Sequence, residues 1–274
     1  MDFPIHYSEI TELLHQASGE GRTFLYEHEV YTLLRQSGAE TPPRSHFLPR
    51  AARVAAEQLS FPGDKVVLKV VAPTIFHKTE LQGVRIIDNH IDRIRSTVRR
   101  MIYEVPENFT ALIERDRGAA PEEYLELAGE ALTTAIRKDI CGNLMVEFMA
   151  PDSESFGNEL IVSLRNSREF GMIITAGLGG TDTELYAKRF RKGQAIVAAS
   201  TQLNDGHSFF EIFKGTIAYR KLAGLTRGQR RIVTDEQLIE CFESFICLGN
   251  YYSAANPDAP YWLDELEINP FAFT

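Results

Sequence analysis

The chain has 274 residues, which is enough for one large domain or two smaller ones that each bury a core. Apolar residues make up 44% and charged residues 24%, which is typical of globular proteins. The formal net charge of 29 − 38 = −9 disfavours a nucleic-acid binder, whose affinity depends on neutralising phosphates. It does not exclude a local basic pocket for a nucleotide.

Targeting and redox signals point to the cytoplasm. The opening MDFPIHYSEI has neither a basic n-region nor an apolar h-region, so no secretory signal is predicted. No apolar run is long enough to span a bilayer, and no membrane partner is expected. The cysteines Cys141, Cys241 and Cys247 lack CxxC spacing and are odd in number. We therefore predict buried free thiols, with neither a structural zinc nor a disulfide framework.

The first half of the chain alternates helices and strands after a polar lead-in at residues 1–22. Apolar residues at helical spacing and a terminal Gly38 predict the first helix, and TPPR cannot continue it. KVVLKVVA is a β-branched run typical of a covered strand. The predicted helices are 24–38, 49–60, 91–105 and 121–140, and the predicted strands are 65–72 and 84–88.

The second half is predicted to be richer in strands. These are 143–150, 158–166, 170–178 and 262–273. A helix is predicted at 234–252, with Thr234 as its N-cap and Gln237 completing a capping box. The mixture indicates an α+β or α/β fold in two halves that meet near residue 145.

One stretch, LKVVAPTIFHKTELQGVRI, has polar side chains in an otherwise apolar hairpin. Lys69 interrupts the first strand, where an ammonium group is costly unless an anion pairs with it. It either points to water from an edge strand or contacts a phosphate inside a cleft. His77, Lys78 and Gly83 lie on the connection, which is either a solvated hairpin or a loop that covers a nucleotide. The stretch has neither GxxxxGK[ST] nor GxGxxG spacing.

Two further clusters follow. In TAGLGGTDTELY, Gly177, Gly179 and Gly180 form either a tight turn or a close approach of backbone to ligand. In LDELEINPF, strand alternation puts Glu265, Glu267 and Asn269 on one face. This face is either solvated or an oxygen site of the kind that Mg²⁺ prefers.

Taken together in this order, these clusters resemble the ATP-grasp subunit or domain of the NDP-forming acyl-CoA synthetases, relatives of succinyl-CoA synthetase. The resemblance also rests on motifs outside the three clusters, and it covers roughly residues 24–273. Outside the clusters the matching motifs are YEHEVYTLLRQSGAETP, VEFM, GNELIVS and LAGLTRG, and the clusters themselves match in LKVVAPTIFHKTELQGV, FGMIITAGLGGTDTE and ELEINP.

The resemblance implies an α+β ATP-grasp fold, with two α/β lobes that bind a nucleotide between them. It implies an N-terminal extension (1–22), a helical lead-in with the first lobe (23–145) and a second lobe (146–274). Lys69 would contact the phosphates, and the loop around Lys78 and Gly83 would cover them.

The resemblance assigns the remaining site residues as well. The hinge Glu147, Phe148 and Met149 would hold the adenine, and Glu159 would bind the ribose. Gly179 and Gly180 would approach the nucleotide, and Glu267 with Asn269 would hold Mg²⁺. His77 and Lys78 would be catalytic, with His77 relaying a phosphoryl group through its nucleophilic ring nitrogen.

The implied reaction is acyl-CoA + phosphate + ADP in equilibrium with acid + CoA + ATP. It passes through a phosphohistidine on a CoA-binding subunit or domain. This chain has no CoA-binding nucleotide fold and no GHAG-type loop. We therefore expect an ADP-forming ligase component that is incomplete alone and works in a hetero-oligomer or a longer polypeptide. ATP or ADP and Mg²⁺ would bind here, and CoA on the partner.

The sequence departs from the family at several positions. Gln82 replaces the first glycine of a GG pair, Ala72 replaces a serine, and Glu147 replaces a glutamine. The aspartate that usually follows the NP motif is either missing or lies beyond Thr274. Residues 104–140 are longer than in relatives, and a helix there would be a candidate for partner contact.

Two other functions stay open on the sequence. One is a different ATP-grasp ligase that joins an acyl phosphate to an amine. The other is a degenerate, non-catalytic ATP-grasp module, which Gln82 and the absent aspartate favour.

Overall fold

The computed structural model describes most of the chain. The described residues are 5–38, 42–50, 61–75, 77–149, 159–180, 190–191 and 193–272. None of the helices within these ranges is long and apolar enough to cross a bilayer.

Seven α-helices and two 3₁₀ turns lie in the described residues. The helices are Tyr7–Gly19 (α1), Glu27–Gln36 (α2), Ile91–Arg115 (α3), Gly129–Asp139 (α4), Gly206–Phe213 (α5), Ile217–Leu222 (α6) and Asp235–Tyr251 (α7). The 3₁₀ turns are Arg117–Ala119 and Glu122–Tyr124.

Eight strands form two four-stranded antiparallel sheets. The first four are Ser45–Pro49 (β1), Lys65–Val71 (β2), Val84–Asp88 (β3) and Gly142–Glu147 (β4). The others are Glu159–Ser167 (β5), Gly171–Leu178 (β6), Ile196–Ser200 (β7) and Glu265–Ala272 (β8).

The contacts between residues divide the chain into two compact units. The hairpin unit comprises Thr23–Thr32 and Pro42–Met149, and the C-terminal unit comprises Met1–Arg22, Leu33–Thr41 and Ala150–Thr274. The division falls within α2. The boundaries at 22/23 and 145/146 inferred from the family resemblance stay a prediction.

In the hairpin unit the strand order is β1-β4-β2-β3. One face of this sheet packs on α3 and α4 through a core that includes Leu68, Met101, Ile136 and Met145, all fully buried. The opposite face carries Val71, Leu144 and Val146, which pack against the aromatic rings of Tyr26, Tyr31 and Phe47. Because side chains alternate along a strand, Lys69 lies on this second face with Val71.

In the C-terminal unit the strand order is β7-β6-β5-β8. Its buried face packs on α7, where Gly249 lets the helix approach the sheet. A Cβ at Gly249 would lie 2.9 Å from Met172 Cγ and 3.0 Å from Leu164 Cδ2. The lead-in predicted at residues 1–22 contains helix α1, and the Tyr7 ring stacks on Tyr251 with centroids 4.1 Å apart.

The α+β prediction and most predicted elements are confirmed, and the capping box of Thr234 and Gln237 is present at the start of α7. Two helices differ. The helix predicted to end before Pro106 continues to Arg115, because Phe109 and Ile113 extend its buried stripe. The helix predicted at 121–140 is a 3₁₀ turn followed by α4, which begins at Gly129 with φ +54°.

Other predictions were incomplete or cannot be compared. α1, β1, β7, α5 and α6 were not predicted. Of the helix predicted at 49–60, Pro49 lies in β1, and residues 51–60 lie outside the described part of the chain.

Candidate functional site

Lys69 lies on an internal strand of the hairpin unit. β2 pairs with β3 on one side and β4 on the other, so the edge-strand alternative is wrong. The Lys69 side chain is 25% exposed. An ammonium group this far from bulk water needs an anionic partner.

That partner is Glu27, in the first turn of α2. Its Oε1 contacts Lys69 Nζ, and its Oε2 accepts a hydrogen bond of 3.1 Å from Lys78 Nζ. Tyr31, one turn further along α2, donates its hydroxyl to Glu27 Oε1 at 3.0 Å. One carboxylate therefore joins the two lysines that the sequence analysis assigned to phosphate contact.

The electrostatics of this cluster favour the charged carboxylate. Burial opposes ionisation of Glu27, but Lys69 and Lys78 outweigh it and hold the pKa below its usual value. Burial, reinforced by the nearby Glu27 charge, raises the pKa of Tyr31, so its hydroxyl stays a donor. Two lysines and one carboxylate give the cluster a formal surplus of one positive charge.

The loop between β2 and β3 closes on its own backbone. Gly83 N donates to Lys78 O at 2.7 Å, and Val70 N donates to Gly83 O at 2.8 Å. A Cβ at Gly83 would lie 2.8 Å from Val70 Cγ1 and 2.9 Å from Lys78 O. Only glycine fits this close approach, which holds Lys78 beside the strand that carries Lys69.

Gln82 is the residue that the family resemblance places at the first glycine of the GG pair. Its φ is +56°, the left-handed region that favours glycine. The loop adopts this conformation with glutamine, and Arg85 Nε donates to the Gln82 carbonyl at 3.0 Å. The replacement therefore adds local strain without preventing the turn.

His77 lies on the same loop and is exposed to solvent. Ile75 and Leu81, on either side of it, are 2% and 3% exposed and belong to the core of the hairpin unit. Asn108 of α3 donates its side-chain amide to the Leu81 carbonyl at 3.0 Å. The loop is thus anchored at both ends and presents His77 from its exposed middle.

A buried hydroxyl network supports the first anchor. The Tyr124 hydroxyl lies 2.8 Å from Thr74 Oγ1 and donates to Asp139 Oδ2. Tyr124 is 1% exposed, and burial, together with the Asp139 contact, raises the pKa of its hydroxyl. The segment 104–140 therefore contributes a side chain that contacts the base of the His77 loop.

Tyr124→Phe should destabilise the protein by about 1–2 kcal/mol, because Thr74 and Asp139 lose a buried hydrogen-bond partner while the ring is retained. Denaturant unfolding measures the change. Tyr103→Phe is the control, since the Tyr103 side chain is 55% exposed and stacks under Arg137 through its ring. Equal stability of the two variants would contradict a supporting role for the network.

The predicted hinge begins at the last residue of β4. Arg44 N donates to Glu147 Oε2 at 3.3 Å, and Glu147 N donates to Arg44 O at 2.8 Å. The Phe148 ring has Lys65 Nζ 6.0 Å from its centroid, and Met149 is 38% exposed. The role of these three residues in holding adenine stays a prediction.

The acidic strand β8 shows the predicted alternation. Leu266 and Ile268 are buried or half-buried, whereas Glu265, Glu267 and Asn269 are exposed. Glu267 lies opposite Ser163 of β5 in the register of the sheet. Exposure is compatible with a metal site and equally with a solvated strand.

Three other predicted residues of the C-terminal unit meet at one place. Gly180 N donates to Asn269 Oδ1 at 2.9 Å, and a Cβ on Gly180 would lie 2.5 Å from Glu159 Oε2. A Cβ on Gly179 would lie 2.2 Å from the Leu160 carbonyl oxygen. The glycine turn therefore brings its backbone between Glu159 and Asn269, which places a ribose candidate near a metal candidate.

Glu27 and Tyr31 are the site residues that the sequence analysis did not assign. The contact between Glu27 and Lys69 joins residues 42 positions apart, so spacing does not reveal it. The available signal was the lysine itself, because a covered strand with an ammonium group requires an anion nearby. Asp182 and Glu184 of the glycine-rich cluster lie outside the described residues.

Comparison with known proteins identifies similar sequences. Residues 16–116 match a family model described as an ATP-grasp domain. The chain is 25% identical over 266 residues to the β subunit of acetate–CoA ligase (ADP-forming) I of Pyrococcus furiosus, covering 96% of this chain and 91% of that subunit. It is 27% identical over 179 residues to acetate–CoA ligase (ADP-forming) I of Archaeoglobus fulgidus, covering 65% of this chain and 20% of that protein.

Solved structures of one acetyl-coenzyme A synthetase are similar to this chain in fold. Candidatus Korarchaeum cryptofilum dinucleotide forming acetyl-coenzyme A synthetase 1, in complex with coenzyme A and Mg-AMPPCP, matches with a TM-score of 0.63 at 21% identity. The same enzyme with coenzyme A and Ca-AMPCP matches with a TM-score of 0.62 at 25% identity. Each match covers 96% of this chain and 92% of the other. These likenesses confirm the fold that the family resemblance predicted.

Proposed function

We propose that the chain is the nucleotide-binding component of an ADP-forming acyl-CoA synthetase, because residues 16–116 match an ATP-grasp domain model and the chain is similar to the β subunit of such a ligase. The observation that carries the proposal is the lysine cluster of the hairpin unit, where Lys69 and Lys78 converge on one carboxylate. A pair of ammonium groups with a surplus positive charge suits the phosphates of ADP or ATP. The component acts in the cytoplasm.

The loop residues supply the remaining chemistry on the phosphate side. Gly83 keeps Lys78 close to β2, so both ammonium groups can neutralise charge on a transferring phosphoryl group. His77 is exposed on the same loop, and a neutral imidazole nitrogen can accept that group. The residue thus serves as the relay between the nucleotide and the phosphohistidine of the partner.

A divalent cation fits the oxygen donors of β8. Glu267 offers a carboxylate, and Asn269 Oδ1 accepts one hydrogen bond from Gly180 and retains a second lone pair. Among the residues that the structure describes, no three His, Cys, Asp or Glu side chains form a metal cluster. Mg²⁺ takes one or two protein oxygens and completes its shell with phosphates and water, which suits this pair. When bound, it would neutralise phosphate charge.

The partner follows from the extent of the similarity. This chain covers nearly all of a β subunit whose name implies at least one other subunit, and a similar structure is described with coenzyme A and a phosphohistidine segment. We propose a CoA-binding subunit or domain that carries this histidine. The Pro121–Ile140 region is a candidate for contacting it.

The first test is calorimetric titration of the protein with ADP and ATP in Mg²⁺, followed by assay of acyl-CoA-dependent ATP synthesis with a CoA-binding partner. Binding that requires the divalent cation, and synthesis only after the partner is added, are the expected results. ATP-dependent joining of an acid to an amine without CoA would instead identify another ATP-grasp ligase. Failure to bind either nucleotide would favour the non-catalytic module.

His77→Ala should leave Mg-ADP affinity within about twofold of wild type, because the lysines are intact. It should lower phosphoryl exchange with the partner by roughly 100-fold or more, in the range expected when a nucleophile is removed. Glu80→Ala, on the exposed part of the same loop, is the matched control. Unchanged exchange in His77→Ala would eliminate the relay while leaving nucleotide binding in place.

A further inference from the structure

Both carboxylate oxygens of Glu27 accept contacts from neighbouring side chains. Oε1 receives Lys69 and the Tyr31 hydroxyl, and Oε2 receives Lys78. The two lysines come from different parts of the hairpin, one from strand β2 and one from the following loop. Glu27 therefore contacts both ammonium heads.

The helix that carries Glu27 is itself held in place. Glu29 Oε2 accepts a hydrogen bond of 2.7 Å from Tyr26 N, which satisfies a donor at the start of α2. Tyr26 and Tyr31 pack against the same sheet face as Lys69. Glu27 therefore projects from a helix that is held in position. A residue that positions two other side chains needs such a fixed support.

Burial makes the arrangement consequential. The side chains of Glu27, Lys69 and Lys78 are 24%, 25% and 20% exposed. Two ammonium groups with so little exposure to solvent are poorly screened. They therefore repel each other strongly when no anion lies between them. The Glu27 carboxylate attracts both ammonium groups, which offsets their repulsion and holds them at a defined separation.

We infer that Glu27 is the positioning residue of the phosphate site, holding Lys69 and Lys78 at the spacing at which both meet one nucleotide. This inference rests on the proposed function. It gives α2 a role in nucleotide binding that does not require Glu27 to touch the nucleotide. The surplus positive charge of the cluster is left for the phosphates.

The test compares Glu27→Gln with wild type by titration with Mg-ADP. Glutamine keeps the size of the side chain but lacks the charge that holds the lysines, so we expect binding at least tenfold weaker. Glu27→Asp should bind with intermediate affinity. Glu104→Gln is the matched control, because Glu104 also contacts two cations, Arg85 and Arg100, in the same unit. It should bind as wild type does.

A double variant separates positioning from general destabilisation. If Glu27 acts through the lysines, Glu27→Gln should weaken Mg-ADP binding much less in a Lys78→Met background than in wild type. If it acts through stability alone, the two effects should add. Binding by Glu27→Gln that equals or exceeds wild type would overturn the inference and leave the proposed function standing.

Two further outcomes are decisive. If Glu27→Gln does not fold, the decision passes to Glu27→Asp, whose undiminished affinity would overturn the inference. Failure of the wild-type protein to bind Mg-ADP or Mg-ATP would overturn the proposed function, and the inference with it.

Discussion

Lys69→Ala is expected to weaken Mg-ADP and Mg-ATP binding by roughly 100-fold, or about 3 kcal/mol. The Lys69 ammonium is three-quarters buried and is one of two that converge on Glu27. Truncating Lys69 removes a charge that is already partly desolvated. Of the pair, only Lys78 then remains to contact the nucleotide phosphates. Calorimetric titration measures the loss directly.

The control for this variant is Lys214→Ala. Lys214 pairs with Glu211 on the surface of α5, so its removal changes net charge by the same amount without touching the hairpin unit. It should bind nucleotide like wild type. Equal affinity of Lys69→Ala and Lys214→Ala would show that the lysine cluster has a purely structural role.

Gly179→Ala is expected to destabilise the protein by about 3 kcal/mol. The added Cβ would lie 2.2 Å from both the carbon and the oxygen of the Leu160 carbonyl, and 2.8 Å from Ile161 N. These are backbone atoms of the neighbouring strand, so no side-chain rotation relieves the clash. The end of the β5–β6 pair must move, together with the turn that holds Gly180 against Asn269.

Thermal unfolding should register this change as a decrease of roughly 6–12 °C in Tm. Gly19→Ala provides the comparison, since a Cβ at the end of α1 meets no atom within 4 Å. That variant should unfold within about 2 °C of wild type. A Gly179→Ala protein as stable as Gly19→Ala would contradict the close approach of the turn to β5.

The elements that sequence could predict are those whose signals are local. The strand at 84–88 and the capping box of Thr234 and Gln237 depend on neighbouring residues, and both are present. Helix α1, which lies within the lead-in at residues 1–22, was not predicted. Its buried Ile10 and Ala17 lie seven residues apart on one helical face, a weak signal among polar neighbours.

Tertiary contacts decided the remaining cases. Tyr124 is drawn into the core by Thr74 and Asp139, so the residues around it form a 3₁₀ turn where charge pattern predicted a helix. The anion that Lys69 requires could be foreseen from its strand, but its identity could not. Glu27 is supplied by a helix whose position depends on packing of aromatic rings against the sheet.

The two-ended anchoring of the His77 loop limits how far a phosphoryl group can travel on it. His77 is two residues from Ile75, which is buried in the core, so its Cα stays within roughly 7 Å of that fixed point. A tether this short rules out His77 as a long-range carrier. In the proposed reaction, transport of the group over larger distances therefore falls to the partner, and His77 receives the group at a fixed position.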